Sequence, residues 1–162
     1  MSGRARRVLG AGAALLLVAS LLVTAWLVWT NRTAAERESA RGEALAAAPG
    51  YIEALLSYDA ATVDADLDEA ARGATGEFAG RFREFAANTV APESKRQGLS
   101  TRARIAEAGY VSGDADRARL LVFIDQITTS TQSPAPTSTS SRVLVSMERV
   151  GDNWLVAEMT PI

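Results

Sequence analysis

The sequence predicts an α+β domain carried behind a single membrane-spanning helix. Three observations lead there. A run of 22 uncharged residues opens the chain after three arginines, helical apolar spacing fills residues 51–85, and four apolar, alternating segments separated by short turns occupy the remainder. Apolar residues make up 48% of the 162, and there is neither His nor Cys. Those two absences exclude a disulfide framework, a thiolate nucleophile, a Ser-His-Asp triad and the commonest metal ligands.

Val8 to Trp29 forms the expected span. As a helix its 22 residues would reach roughly 33 Å against a hydrocarbon core of about 30 Å. A cleavable signal would have an apolar region of about 7 to 15 residues ending at a small-x-small site. Here Val23-Thr24-Ala25 is followed by more apolar sequence and by Trp26 and Trp29, which suit the interfacial aromatic belt, so the segment reads as an uncleaved anchor. Arg4, Arg6 and Arg7 precede it with no acid among them, which places residues 1–7 in the cytoplasm and residues 30–162 beyond the membrane. Thr30 to Ile162 carries 14 basic and 19 acidic residues, a net charge of −5. It offers no basic surface for phosphate neutralisation, and nucleic acid is not an expected partner.

Residues 30–48, rich in Ala, Glu and Arg, are expected as a juxtamembrane helical stalk, with Asn31-Arg32-Thr33 a glycosylation pattern beside the membrane. Pro49-Gly50 interrupts the helical pattern and opens the domain at 49–162, because Pro suits the first turn of a new helix. That first helix would bury Tyr51, Ile52, Leu55 and Leu56. A second starts near Thr62 as cap and buries Val63 and Leu67. A third places Phe78, Phe82 and Phe85 on one face, with Glu77 and Arg81 outside, and ends or kinks at Pro92.

From Leu99 the period changes to two. Thr101, Ala103 and Ile105 alternate with Arg102 and Arg104; Leu120 to Ile124 is a short apolar run extended by Ile127; Val143, Val145 and Met147 alternate with Ser146 and Glu148; Trp154 to Met159 closes the chain. Turns at Ser112-Gly113-Asp114 and Gly151-Asp152-Asn153 are too short for parallel crossovers, so the sheet is an antiparallel meander. Thr128 to Ser141, dominated by Ser, Thr, Gln and Pro, is expected as a flexible hairpin tip open to O-glycosylation.

Candidate chemistry is sparse. Asp59, Asp64, Asp66, Asp68 and Glu69 alternate like a calcium loop, but Glu69 replaces the turning Gly and Thr75 the closing Glu, so they read as an acidic helix face. Asp125 shares a strand face with Leu121, Phe123 and Ile127; with Tyr58 or Tyr110 it could make an isomerase-like base and hydroxyl pair. Lys95, the only lysine, lies between Glu93 and Arg96 and reads as a surface residue. No catalytic, cofactor-binding or metal-ligating residue is assigned.

The motif Ala54-Leu55-Leu56-Ser57-Tyr58-Asp59, the segments Val90 to Lys95 and Leu120 to Thr129, and the ending Gly151-Asp152-Asn153-Trp154-Leu155-Val156 with Met159, Pro161 and Ile162, all behind an Arg-rich N-terminus and one span, resemble the Mce-associated membrane proteins of actinobacteria. Asp125 departs from that pattern, standing where Asn is common, and so does Pro49-Gly50. The resemblance implies a nuclear-transport-factor-like cone: three helices packed on a curved four-stranded antiparallel sheet, enclosing a cavity with room for a lipid. It also implies a non-enzymatic accessory subunit of an Mce-type lipid or sterol import complex, single-pass in the cell membrane and without a cofactor, its partners the membrane and Mce proteins. Two alternatives share this architecture, a scaffold subunit of a type IV secretion system and a cone-fold pocket protein that binds lipid or acts as an isomerase or cyclase. Trp154 and Tyr58 are the aromatics to test first at an interface.

Overall fold

A computed structural model describes the backbone of residues 3–162 and the side chains of residues 20–162 apart from 25, 28, 31, 33 and 134. Two compact units divide it, residues 1–38 and residues 39–162. The helix α1 is Gly3–Leu56, and residues 3–38 of it belong to the first unit. Within it Leu21, Leu22, Trp26 and Trp29 are exposed. Among the described residues no helix is long and apolar enough to cross a membrane, and the side chains of 8–19, most of the expected span, lie outside them, as does that of Asn31.

In the second unit α1 passes straight through Pro49, so the break expected there is absent. Proline inside a helix costs about 3 kcal/mol through its missing donor and ring clash. The offset comes from one stripe, Ala40, Ala44, Ala48, Ile52 and Leu55, of which the first four have no exposed surface. Residues 40–48, expected as part of a stalk, therefore carry a face of the core. Helix α2, Val63–Ala70, follows, then a tight turn Ala71–Gly73 and α3, Gly76–Phe85. A π-helical turn, Ala86–Val90, joins α3 to α4, Ala91–Gln97, without a stop. Pro92 sits in the first turn of α4, where its missing N–H is not needed.

Four antiparallel strands run in sequence order: β1 Ser100–Gly113, β2 Arg117–Ser130, β3 Ser133–Val150 and β4 Asn153–Pro161. Their inner face buries Ala103, Ala118, Leu120, Val122, Ile124, Val143, Val145, Met147, Trp154 and Val156 against the α1 stripe. Register shifts in all three strand pairs, at 105/107, 110/112, 128/130 and 146/147, are the irregularities that bend a sheet around its helices.

The flexible tip expected at Thr128 to Ser141 is instead ordered strand. Gln126 pairs with Thr139, Ile127 with Ser138 and Thr128 with Thr137, up to a turn at Thr131-Gln132. Thr favours extended backbone, and the tip is held by hydroxyl and amide bonds rather than apolar burial. Ser130 Oγ donates to the Gln97 carbonyl at 2.8 Å, Thr131 Oγ1 to the same oxygen at 3.2 Å, and Gln132 Nε2 to the Arg96 carbonyl at 3.3 Å. The close approach requires Gly98, which ends α4 with φ 61°; a Cβ there would stand 2.2 Å from Thr131 Oγ1.

Candidate functional site

The helices and the sheet part company at one end and leave a cleft of about 660 Å³. Its helical wall comes from Leu55 and Leu56 at the end of α1, Leu67 of α2, and Phe78, Phe82 and Phe85 of α3. The i, i+4, i+7 spacing points these rings one way. Phe78 and Phe82 are tilted neighbours with centroids 6.3 Å apart, and Phe85 is 58% exposed at the rim. The sheet wall carries Ile124, Val143 and Met159, then a polar strip of Gln126, Thr128, Thr139 and Ser141. Tyr58 closes the floor, its backbone bridged to Thr101 by hydrogen bonds of 2.8 and 2.9 Å. No Asp, Glu, Lys or Arg lines the cleft among the described residues.

Asp125 is elsewhere. Alternation sends Leu120, Val122 and Ile124 inward and Asp125 to the outer face, where it is exposed and accepts a 2.5 Å bond from Ser140 Oγ. Tyr110 lies opposite Leu120 on the inner side with the Arg41 guanidinium 5.4 Å from its ring centre, and Tyr58 faces the cleft. The structure thus does not assemble the carboxylate and hydroxyl pair that an isomerase-like reading needs. The acidic cluster is spent on local structure. Asp66 Oδ2 accepts from the Asp59 amide at 2.9 Å and from Thr62 Oγ1 at 2.8 Å, Asp59 Oδ1 accepts from the Ala61 amide at 2.9 Å, and Asp64 pairs with Lys95 at 2.5 Å. Glu69 pairs with Arg72, and Asp68 is exposed. Among the described residues no acidic group converges as a metal site.

One cluster escaped the sequence reading. Glu43 on α1 accepts from Ser39 Oγ at 2.8 Å and from Trp154 Nε1 at 3.2 Å, and it pairs with Arg149 at 2.7 Å, whose guanidinium lies 4.8 Å from the Trp154 ring centre. Trp154 is core, 3% exposed. The Ser39, Trp154 and Arg149 hydrogen bonds hold the Glu43 carboxyl below its ordinary value of 4.5. Its stabilisation is complete above that ordinary value and disappears as pH falls through the lowered folded one. Replacing Glu43 by Gln is accordingly expected to flatten the loss of thermal stability on acidification below about pH 4.5, read as Tm against pH. A slope equal to that of the parent would show that the three donors do not favour the ionised form.

No family model matches the sequence. An uncharacterized protein of Mycobacterium tuberculosis, Rv1362c, is 39% identical over 124 residues, which is 76% of this chain and 56% of that protein; the chain spans just over half the length of this relative. The outer membrane protein Rv1973 of the same organism is 34% identical over 136 residues, 84% of each. Among solved structures, an IcmL-like type IV secretion system protein from Legionella pneumophila superposes with a TM-score of 0.63 at 13% identity, over 75% of this chain and 93% of that one. CagV, a VirB8 homolog of the type IV secretion system of Helicobacter pylori, gives 0.58 at 13% identity, over 72% and 94%. The chain therefore shares its fold with these VirB8-like domains, helices packed on a four-stranded antiparallel meander, which agrees with the α+β architecture expected from the sequence and with the cone that the resemblance implies.

Proposed function

Since the chain belongs to the same family as the Mycobacterium tuberculosis outer membrane protein Rv1973, we propose that it is a non-enzymatic scaffold subunit of a multi-protein complex in the cell envelope. Its N-terminus lies in the cytoplasm and its α+β domain beyond the membrane. The observation that carries this reading is that the described domain matches the fold of type IV secretion proteins over 93% and 94% of their chains. The name of the mycobacterial relative agrees with an envelope location. A non-enzymatic role is supported by a chain without His or Cys and by an Asp125 that faces away from the cleft.

Two assemblies compete for the finer identity. A secretion-type complex is favoured by the structural neighbours, whereas an Mce-type lipid importer rests on the sequence resemblance alone. Since the chain has no cysteine, one experiment addresses location and role together. Single cysteines at the exposed positions Glu107, Ser138 and Glu158 are reacted with a membrane-impermeant photoactivatable maleimide in spheroplasts of the producing cell, irradiated, and their adducts sequenced. Labelling of intact spheroplasts with adducts to other envelope proteins is the expected result, and the adduct identities, secretion or importer subunits, choose between the assemblies. Labelling only after lysis would refute the location. Labelled chains that form no adduct from any of the three sites would refute the scaffold.

A further inference from the structure

We propose that the cleft between α3 and the β2–β3 pair is a binding site for a neutral, elongated amphiphile: a long apolar body with a hydroxyl or carbonyl group at one end, and neither a carboxylate nor a phosphate. The site goes beyond the scaffold reading and does not depend on it.

Size and lining define the ligand class. A volume of about 660 Å³ falls within the roughly 300–1,000 Å³ range of small-molecule sites. Leu55, Phe78, Phe82, Ile124, Val143 and Met159 supply hydrophobic surface from both walls, enough to hold an extended apolar body. Apart from Tyr58 and Thr101, the polar lining forms one strip of the β2–β3 wall. There Gln126 stands opposite Thr139 in the strand register, with Ser141 alongside on β3. The side chains of Gln126, Thr139 and Ser141 have no hydrogen-bond partner among the described residues. An amide offers two donors and an acceptor, and each hydroxyl offers both roles, so the strip can satisfy an alcohol or a carbonyl from either side. It cannot compensate a full charge. Among the described residues no cationic side chain lines the cleft, and an anion moved out of water without a cation or several convergent donors is strongly disfavoured.

The rim gives independent support. The π-helical turn Ala86–Val90 starts directly after one lining residue, Phe85, and ends on another, Val90, and it interrupts an otherwise continuous α3–α4 helix. Such turns put an extra residue into the helix and recur at functional sites. Here the turn accompanies an aromatic ring, Phe85, that is 58% exposed at the mouth. A bound apolar body would cover that ring and remove surface that is otherwise left in water.

The test uses the full chain in nanodiscs of zwitterionic phospholipid, with two photoreactive probes of equal length: a mid-chain diazirine derivative of hexadecanol and the corresponding hexadecanoic acid. Adducts are mapped by mass spectrometry. The alcohol should mark peptides of residues 76–90 and 124–143 at least tenfold more than the acid does at pH 7.5. Gln126→Glu, which places a carboxylate in the strip, should reduce alcohol labelling at least fivefold, whereas Asp125→Asn on the opposite sheet face should leave it unchanged. Thr139→Glu, at an exposed position, repeats the test should Gln126→Glu melt at a lower temperature than the parent. Equal labelling by alcohol and acid would overturn the proposal. So would adducts confined to residues 8–29, or labelling indifferent to both glutamate substitutions.

Discussion

Trp154→Ala is expected to remove about 3–5 kcal/mol of folding stability, the usual cost of truncating a buried aromatic ring. Since small domains hold only about 5–15 kcal/mol in all, this single change brings the unit close to unfolding. The site explains why the value should lie at the upper end. Trp154 is 3% exposed within the inner face of β4. Its indole N–H donates to Glu43 at 3.2 Å, and its ring carries the Arg149 guanidinium 4.8 Å from its centre. Truncation opens a cavity, takes one donor from a carboxylate and leaves an arginine without its aromatic platform. Trp154→Phe separates these effects, because it keeps a ring in the core and loses the indole donor, which should cost about 1 kcal/mol. Thermal unfolding followed by far-UV circular dichroism on the full chain compares them. At about 4 °C per kcal/mol for a unit of this size, Trp154→Ala should lower Tm by roughly 10–20 °C and Trp154→Phe by only a few degrees. Equal shifts would mean that the indole N–H, rather than the packed ring, supports this edge of the sheet.

The meander was legible because its signal is local. Thr101, Ala103 and Ile105, or Val143, Val145 and Met147, alternate within one strand, and the two short glycine turns exclude parallel pairing without knowledge of any partner. Three features were not legible, each for its own reason. Ala40, Ala44 and Ala48 lie on one face of α1, but alanine has so little side chain that the stripe does not stand out from its Ala-rich surroundings, and Pro49 reads more strongly as a boundary than they do as a core. The Ser/Thr tip acquires order from rungs that reach back beyond it, such as Thr139 against Gln126, and from the carbonyls at the end of α4; neither Gln126 nor α4 lies within Thr128 to Ser141. For Asp125 the alternation with Phe123 and Ile127 was right, but alternation says which residues share a face and not which face is wet; that was settled by Leu120, Val122 and Ile124 taking the inside. The cleft illustrates the same limit. The spacing of its phenylalanines is visible in sequence, whereas a gap between two walls belongs to neither wall.

The alanine stripe supports the second large prediction, because it distinguishes a core helix from a stalk on chemistry alone. Ala44→Asp and Ala46→Asp place the same side chain on the same helix two residues apart. If residues 30–48 were a solvated stalk, both would cost only the difference in helix propensity, about 0.7 kcal/mol. In the structure Ala44 has no exposed surface and packs in the main core cluster, while Ala46 is exposed. At 100° per residue Ala46 lies on the far side of α1 from Ala40, Ala44 and Ala48. An aspartate at 44 must either remain ionised without a partner or fold protonated, and its Cβ substituent has no space to fill; the expected loss is at least about 3 kcal/mol. Urea unfolding of the two full-length variants, with the parent as reference, should separate their midpoints widely, Ala46→Asp remaining within about 1 kcal/mol of the parent. Similar midpoints for the two would place the start of the packed unit after Pro49, and the helix before it would then be a tether without a core face.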